Sequence, residues 1–159
     1  MILEAVGSLQ HTLHPGDVAC GVQGDRFNTL LGSCIAVVLT DPRRTVGAIC
    51  HIVHATPGNS TAPRDSAYGD VALDLMYGLL RQRGIAPQLC EAYVYGGGNM
   101  FPSLFGNGSH VGANNARWTL DALAQDGVHV LHSDVGGSAY RKLSWTVGPD
   151  APQAIAVEV

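Results

Sequence analysis

The sequence predicts an α+β fold with mixed or antiparallel β-sheets and two main helices. Strand-like segments outnumber helical ones, and the clearest strands come as hairpin neighbours rather than alternating regularly with helices. Two stretches carry an apolar period of about 3.6 residues instead.

Taken in order, residues 29–40 read as one strand, Thr29-Leu-Leu-Gly-Ser-Cys-Ile-Ala-Val-Val-Leu-Thr40, stopped by Asp41-Pro42. Val46 to His54 reads as its partner, with Asp41 to Thr45 as a short connection. Residues 55–65, rich in Pro, Gly and hydroxyl side chains, form a polar loop. Tyr68, Val71, Ala72, Leu75, Met76, Leu79 and Leu80 make one helical stripe, with Ser66 or Asp65 to cap its start and Gly84 to end it. A second helix runs from about Gly112 to Asp126, ending at Gly127, with Ala113, Ala116, Leu120 and Leu123 inward. Further strands fit at Gln88–Tyr95, Val128–Leu131, Arg141–Val147 and Gln153–Val157. No repeat or composition break divides residues 1–159, which read as a single domain.

Composition narrows the function. With 46% hydrophobic and 14% charged residues the chain has too little charge for a disordered segment. Its longest strongly apolar run, Ile35 to Leu39, is far short of the roughly 20 residues that cross a bilayer. The start Met1-Ile2-Leu3-Glu4 lacks the basic and apolar regions of a signal peptide, so a cytoplasmic, non-inserted protein is expected. Nine Lys plus Arg against 13 Asp plus Glu give a net charge of −4 and only two basic pairs, Arg43-Arg44 and Arg141-Lys142. Nucleic acid, which is held by basic patches, is not an expected partner. The four cysteines, Cys20, Cys34, Cys50 and Cys90, contain no CxxC pair, which leaves a thiol free for chemistry.

Two positions stand out. Cys34 follows Gly32-Ser33, and His51 lies 17 residues later on the adjoining strand. A turn around residues 42–44 puts Cys34 near Ile52, next to His51, within cross-strand reach. A thiolate is a nucleophile, and a neighbouring imidazolium lowers the thiol pKa. The Gly32-Ser33 backbone can approach a substrate, and its amides can face an oxyanion. The other reading of a buried strand cysteine is an inert small hydrophobe. His51 and His54 point to opposite faces of a strand, so no metal or other cofactor is expected there. The run Tyr95-Gly96-Gly97-Gly98-Asn99-Met100-Phe101 lacks the spacing of nucleotide-binding glycines; it is a tight turn or a backbone surface for a partner, as is Asp134-Val135-Gly136-Gly137.

Leu31-Gly-Ser-Cys34-Ile-Ala-Val, Asp41-Pro42 and Gly47-Ala-Ile-Cys-His51 together closely resemble the CheD family of chemoreceptor glutamine deamidases. The resemblance continues through Tyr68 and Asp70, Gly96-Gly97 with Met100-Phe101, Gly112 and Asn115, and Asp134, Gly136, Gly137 and Arg141. It implies a compact α/β sandwich related to cysteine deamidase toxins. It also implies a protein-glutamine glutaminase that converts selected glutamines of methyl-accepting chemotaxis receptors to glutamate and ammonia through a thioester. The implied partners are the receptors' cytoplasmic helical domain and, in several species, a CheC-type phosphatase. Carried over by position, Cys34 is the nucleophile and His51 the general base. The orienting third member matches Thr29, with Asn28 competing for that role. The Ser33 and Cys34 amides are the oxyanion candidates, and Gly32, Gly96, Gly97, Met100 and Phe101 the substrate-cleft candidates, with the 55–65 loop beside them. Asn114 stands where the family often has Arg. The alternatives are a receptor methylesterase using the same nucleophile and a non-catalytic adaptor binding receptors or a phosphatase.

Overall fold

Ile35–Thr40, every residue of it buried, is the central strand β5. Only a strand covered on both faces can be apolar throughout, and the layers around it follow from that. The structure, a computed structural model, describes residues 2–4, 10–55, 64–102 and 110–157. The strands are β1 (Ile2–Glu4), β2 (Gln10–Thr12), β3 (Val18–Val22), β4 (Arg26–Leu31), β5, β6 (Val46–Ile52), β7 (Glu91–Gly96), β8 (His129–Val135), β9 (Tyr140–Thr146) and β10 (Gln153–Val157). The helices are α1 (Gly69–Gln82) and α2 (Val111–Gln125), with a short 3₁₀ turn at Pro87–Leu89.

Among the described residues the strands form a six-stranded sheet, β1-β3-β6-β5-β7-β8, and a four-stranded sheet, β10-β9-β4-β2. Both are mixed: β1·β3, β7·β8 and β2·β4 are parallel and the remaining pairs antiparallel. One face of the larger sheet packs Ile35, Val37, Leu39, Cys50, Ile52 and Val94 against Ala72, Met76 and Leu80 of α1 and Ala116 and Leu123 of α2. The other face packs Ala36, Val38, Ile49, Tyr93 and Tyr95 against Phe27, Leu31, Leu143 and Trp145 of the smaller sheet. The α+β class thus holds as helices, sheet and second sheet in three layers.

Several boundaries differ from the sequence reading. Residues 29–40 are not one strand: the chain bends at residues 32–34 and passes from the smaller sheet to the larger. Phe27, Thr29 and Leu31 face inward while Leu30 is exposed, so β4 alternates, and the apolar Leu30 conceals the alternation in the sequence. Helix α1 is not capped by Ser66 or Asp65. Its N-cap is Tyr68, while Ser66 Oγ donates to the Gly16 carbonyl and Asp65 accepts from the Ala67 amide. Leu73 and Tyr77 are buried on α1 and Val71 and Leu75 lie at its edge; on α2 the polar Asn115 and Thr119 point inward, whereas Ala113 and Leu120 are partly exposed. Strand β8 runs on to Val135, and β7 begins only after the 3₁₀ turn.

The β5–β6 hairpin also pairs one residue out from the expected register, with Ala36 opposite His51 and Ile35 opposite Ile52. The connection is wider than a turn centred on 42–44. Asp41 accepts from the amides of Thr45 and Val46 and from the Thr45 hydroxyl, and Arg44 takes the left-handed φ of 60°. A slip of one residue exchanges the faces of a strand, so this register decides on which side His51 lies.

Candidate active site

His51 is one strand pair away from Cys34. In β6 its side chain shares the face of Ile49, and Ala36 stands opposite it in β5. Cys34 precedes β5 by one residue, two before Ala36, and packs against the same inter-sheet cluster. Cys34 and the His51 face of β6 therefore border the same inter-sheet layer, with Cys34 two residues along the chain from His51's cross-strand partner. With the register expected from the sequence, they would have faced opposite ways.

The smaller sheet supplies the third group. Thr29 points inward from β4, and its Oγ1 lies 2.8 Å from His51 Nδ1. Both residues are 2% exposed. The same hydroxyl donates to the Leu13 carbonyl at 2.9 Å. A hydroxyl carries a single hydrogen, so satisfying both contacts requires His51 Nδ1–H to donate to Thr29 and leaves Nε2 with its lone pair. Of the two orienting candidates, only Thr29 reaches the imidazole. Asn28 turns outward, where its side chain accepts from Thr12 Oγ1 and donates to the His11 carbonyl. The His51 backbone is braced by the loop before β3, through its amide to the Asp17 carbonyl and its carbonyl to the Gly16 amide.

Burial controls the charges. It pushes His51 down to about 4; Asp17 pulls it upward without overcoming desolvation, and His14 adds to the downward shift. Burial also pushes the Cys34 thiol up. Both shifts disfavour the charged forms of the thiol and the imidazole.

Beside Cys34 opens a cleft of about 470 Å³ lined by Ser33, Gly98, Asn99, Met100, Phe101, His110, Val111, Gly112 and Asn114. Met100 and Phe101 are at its wall. Gly32 abuts that wall: a Cβ there would meet Met100 Cε at 2.7 Å. Gly96 and Gly97 lie beneath it, buried. The Gly97 and Gly98 amides donate to the Cys34 and Gly32 carbonyls, each at 2.9 Å. Gly96 has φ +115°, and a Cβ there would sit 2.0 Å from the Cys34 carbonyl oxygen, so only glycine lets β7 pack against the bend that carries Cys34. Arg141 fixes the same glycines from β9, donating to the Gly96 and Gly136 carbonyls and to Asp134. The Ser33 and Cys34 amides donate to no other described residue. Much of the expected 55–65 loop, residues 56–63, lies outside the described residues.

Sequence reasoning missed the other wall of the cleft, His110, Val111 and Asn114 at the start of α2. His110 caps that helix, its Nδ1 accepting from the Ala113 amide. It also assigned no role to Asn115. That side chain is buried and donates to the carbonyls of Ser33 and Val53. A polar residue at an inward helical position was the available signal.

A family model described as CheD chemotactic sensory transduction matches residues 54–148. The chain belongs to the CheD family. The matched stretch begins after His51, so it draws on the glycine-rich wall, α2 and Arg141 rather than on the Cys34–His51 pair. The probable chemoreceptor glutamine deamidase CheD 2 of Albidiferax ferrireducens is 34% identical over 138 residues, 85% of this chain and 80% of that one. The probable chemoreceptor glutamine deamidase CheD of Pseudomonas fluorescens is 31% identical over 140 residues, 87% of this chain and 79% of that one. Among solved structures, the hypothetical protein YfiH of Bacillus licheniformis has a TM-score of 0.49 at 9% identity, covering 86% of this chain and 64% of that one. No helix among the described residues is long and apolar enough to cross a membrane.

Proposed function

We propose that this chain is a protein-glutamine deamidase acting on the cytoplasmic helical domain of methyl-accepting chemotaxis receptors. The observation that carries the proposal is the convergence of Thr29, His51 and Cys34 on one side of the larger sheet, beside a cleft. Membership of the CheD family, with relatives named as probable chemoreceptor glutamine deamidases, supports the substrate class. Acting on that part of a receptor places the protein in the cytoplasm, and residues 1–159 serve as one deamidase domain. A CheC-type phosphatase is proposed as a second partner on the resemblance alone.

In the reaction, the Cys34 sulfur attacks the carboxamide carbon of a glutamine while its proton passes to His51 Nε2. The C–N bond then breaks, and the proton held on His51 goes to the departing ammonia. The remaining thioester is hydrolysed by water, whose proton His51 accepts and returns to the Cys34 sulfur, leaving glutamate. Thr29 keeps Nδ1 protonated throughout, so that Nε2 is the basic nitrogen. The Ser33 and Cys34 amides, without other partners among the described residues, are the donors for the oxyanion. With burial favouring the neutral forms of both groups, the thiolate forms at attack, when the transition state makes the proton transfer favourable.

The test is ammonia release from a receptor cytoplasmic fragment. Cys34→Ala and His51→Ala should abolish it, whereas Cys20→Ala, Cys50→Ala and Cys90→Ala, at cysteines buried away from the cleft, should retain it. Release at the parent rate by Cys34→Ala would remove the nucleophile from the scheme.

A further inference from the structure

The side chain of Asn115 joins the two strand ends that carry the proposed nucleophile and base. It lies in the first turns of α2, is 2% exposed, and its Nδ2 donates to the Ser33 carbonyl at 3.1 Å and the Val53 carbonyl at 3.0 Å. Both hydrogens of the amide nitrogen are thus used. Ser33 precedes Cys34, and Val53 follows His51 by two residues. Helix α2 is held close enough for this reach because Gly112 packs on the glycine-rich wall, where a Cβ would come within 2.3 Å of the Gly98 carbonyl oxygen.

The Ser33 carbonyl and the Cys34 amide belong to the same planar peptide unit, in which a trans C=O and N–H point in opposite directions. Holding the carbonyl towards α2 therefore aims the Cys34 N–H away from α2. The same bond polarises the peptide and makes that N–H a stronger donor. We infer that Asn115 is a positioning residue that orients and strengthens the Cys34 amide as the oxyanion donor, acting through the Ser33–Cys34 peptide rather than by touching substrate. This inference rests on Cys34 being the nucleophile of the deamidation.

Asn115→Ala and Asn115→Ser are compared with the parent for ammonia release, and each preparation is normalised to the Cys34 that iodoacetamide titrates. Alkylation of a thiol develops no oxyanion, so it reports the fold and the thiol but not the donor. In both variants kcat should fall about ten- to hundred-fold, somewhat less than the loss of a whole donor, with KM within about two-fold. The alkylation rate of Cys34 should stay within about two-fold of the parent. Ser, shorter and able to donate only one bond, serves where the alanine variant does not fold. A kcat equal to the parent, or a kcat that falls only in step with alkylation, would overturn the inference. Absence of ammonia release from the parent itself would instead overturn the deamidase reading.

Discussion

Thr29→Val tests the imidazole's setting without changing the volume of the side chain. It removes the acceptor of His51 Nδ1–H and the donor to the Leu13 carbonyl, both buried and 2.8 and 2.9 Å from the hydroxyl. Each buried polar group left without a partner costs about 1–3 kcal/mol, so the variant should lose about 2–6 kcal/mol of stability. For a domain of this size that lowers the melting temperature by about 5–20 °C. Deamidation is affected separately. Losing a bond of about 1–1.5 kcal/mol removes the preference for the Nδ1–H tautomer and costs about ten-fold in kcat. Thr29→Ser keeps the hydroxyl and should restore most of both losses. The assays are thermal unfolding and ammonia release well below the melting transition. A valine variant with parental kcat and parental melting temperature would refute the tautomer argument.

Three other outcomes follow from the same site. With His51 pushed down to about 4 and the thiol raised, deamidation should decline as pH falls through about 4 and decline again only above the ordinary thiol range; an alkaline limb near neutrality in a pH–rate profile would indicate a resting ion pair instead. The same burial gives stability that is full above the ordinary imidazole value of 6.5 and is lost as pH falls towards about 4, a loss of about 3 kcal/mol in denaturant titrations that His51→Gln should not show. Gly96→Ala drives a Cβ into the Cys34 carbonyl from a left-handed backbone, and should cost about 3 kcal/mol or more while slowing Cys34 alkylation; unchanged melting and alkylation would show that the wall does not support the nucleophile.

The sequence made the site's chemistry more legible than its geometry. Cys34 after two small residues and His51 on a neighbouring strand could be named as candidates from spacing and resemblance, because a thiol and an imidazole are the residue types that nucleophilic catalysis uses. The side of the sheet they share could not, since it turns on one residue of register set by Asp41 and the left-handed Arg44. Thr29 matches the orienting position in the sequence and Asn28 competes with it, because adjacent residues become fully distinct only when the strand's two faces are known, and the apolar, exposed Leu30 masks that alternation. The central strand, both helices and the strands after them were readable from apolar runs and period. The short strands β2 and β3 were not: the first has three residues, and the second is interrupted by glycine in sequence and gains its stability from neighbours on both sides. Asn115 escaped a role because its two acceptors are backbone carbonyls 82 and 62 residues away along the chain, which no local pattern records.

Peptide mass spectrometry of a receptor cytoplasmic fragment, incubated with the parent chain or with Cys34→Ala, addresses the central claim most directly. The account predicts that particular glutamines become glutamates with the parent and stay unchanged with the variant. Glutamines left intact by a folded parent, or converted equally by both proteins, would contradict it.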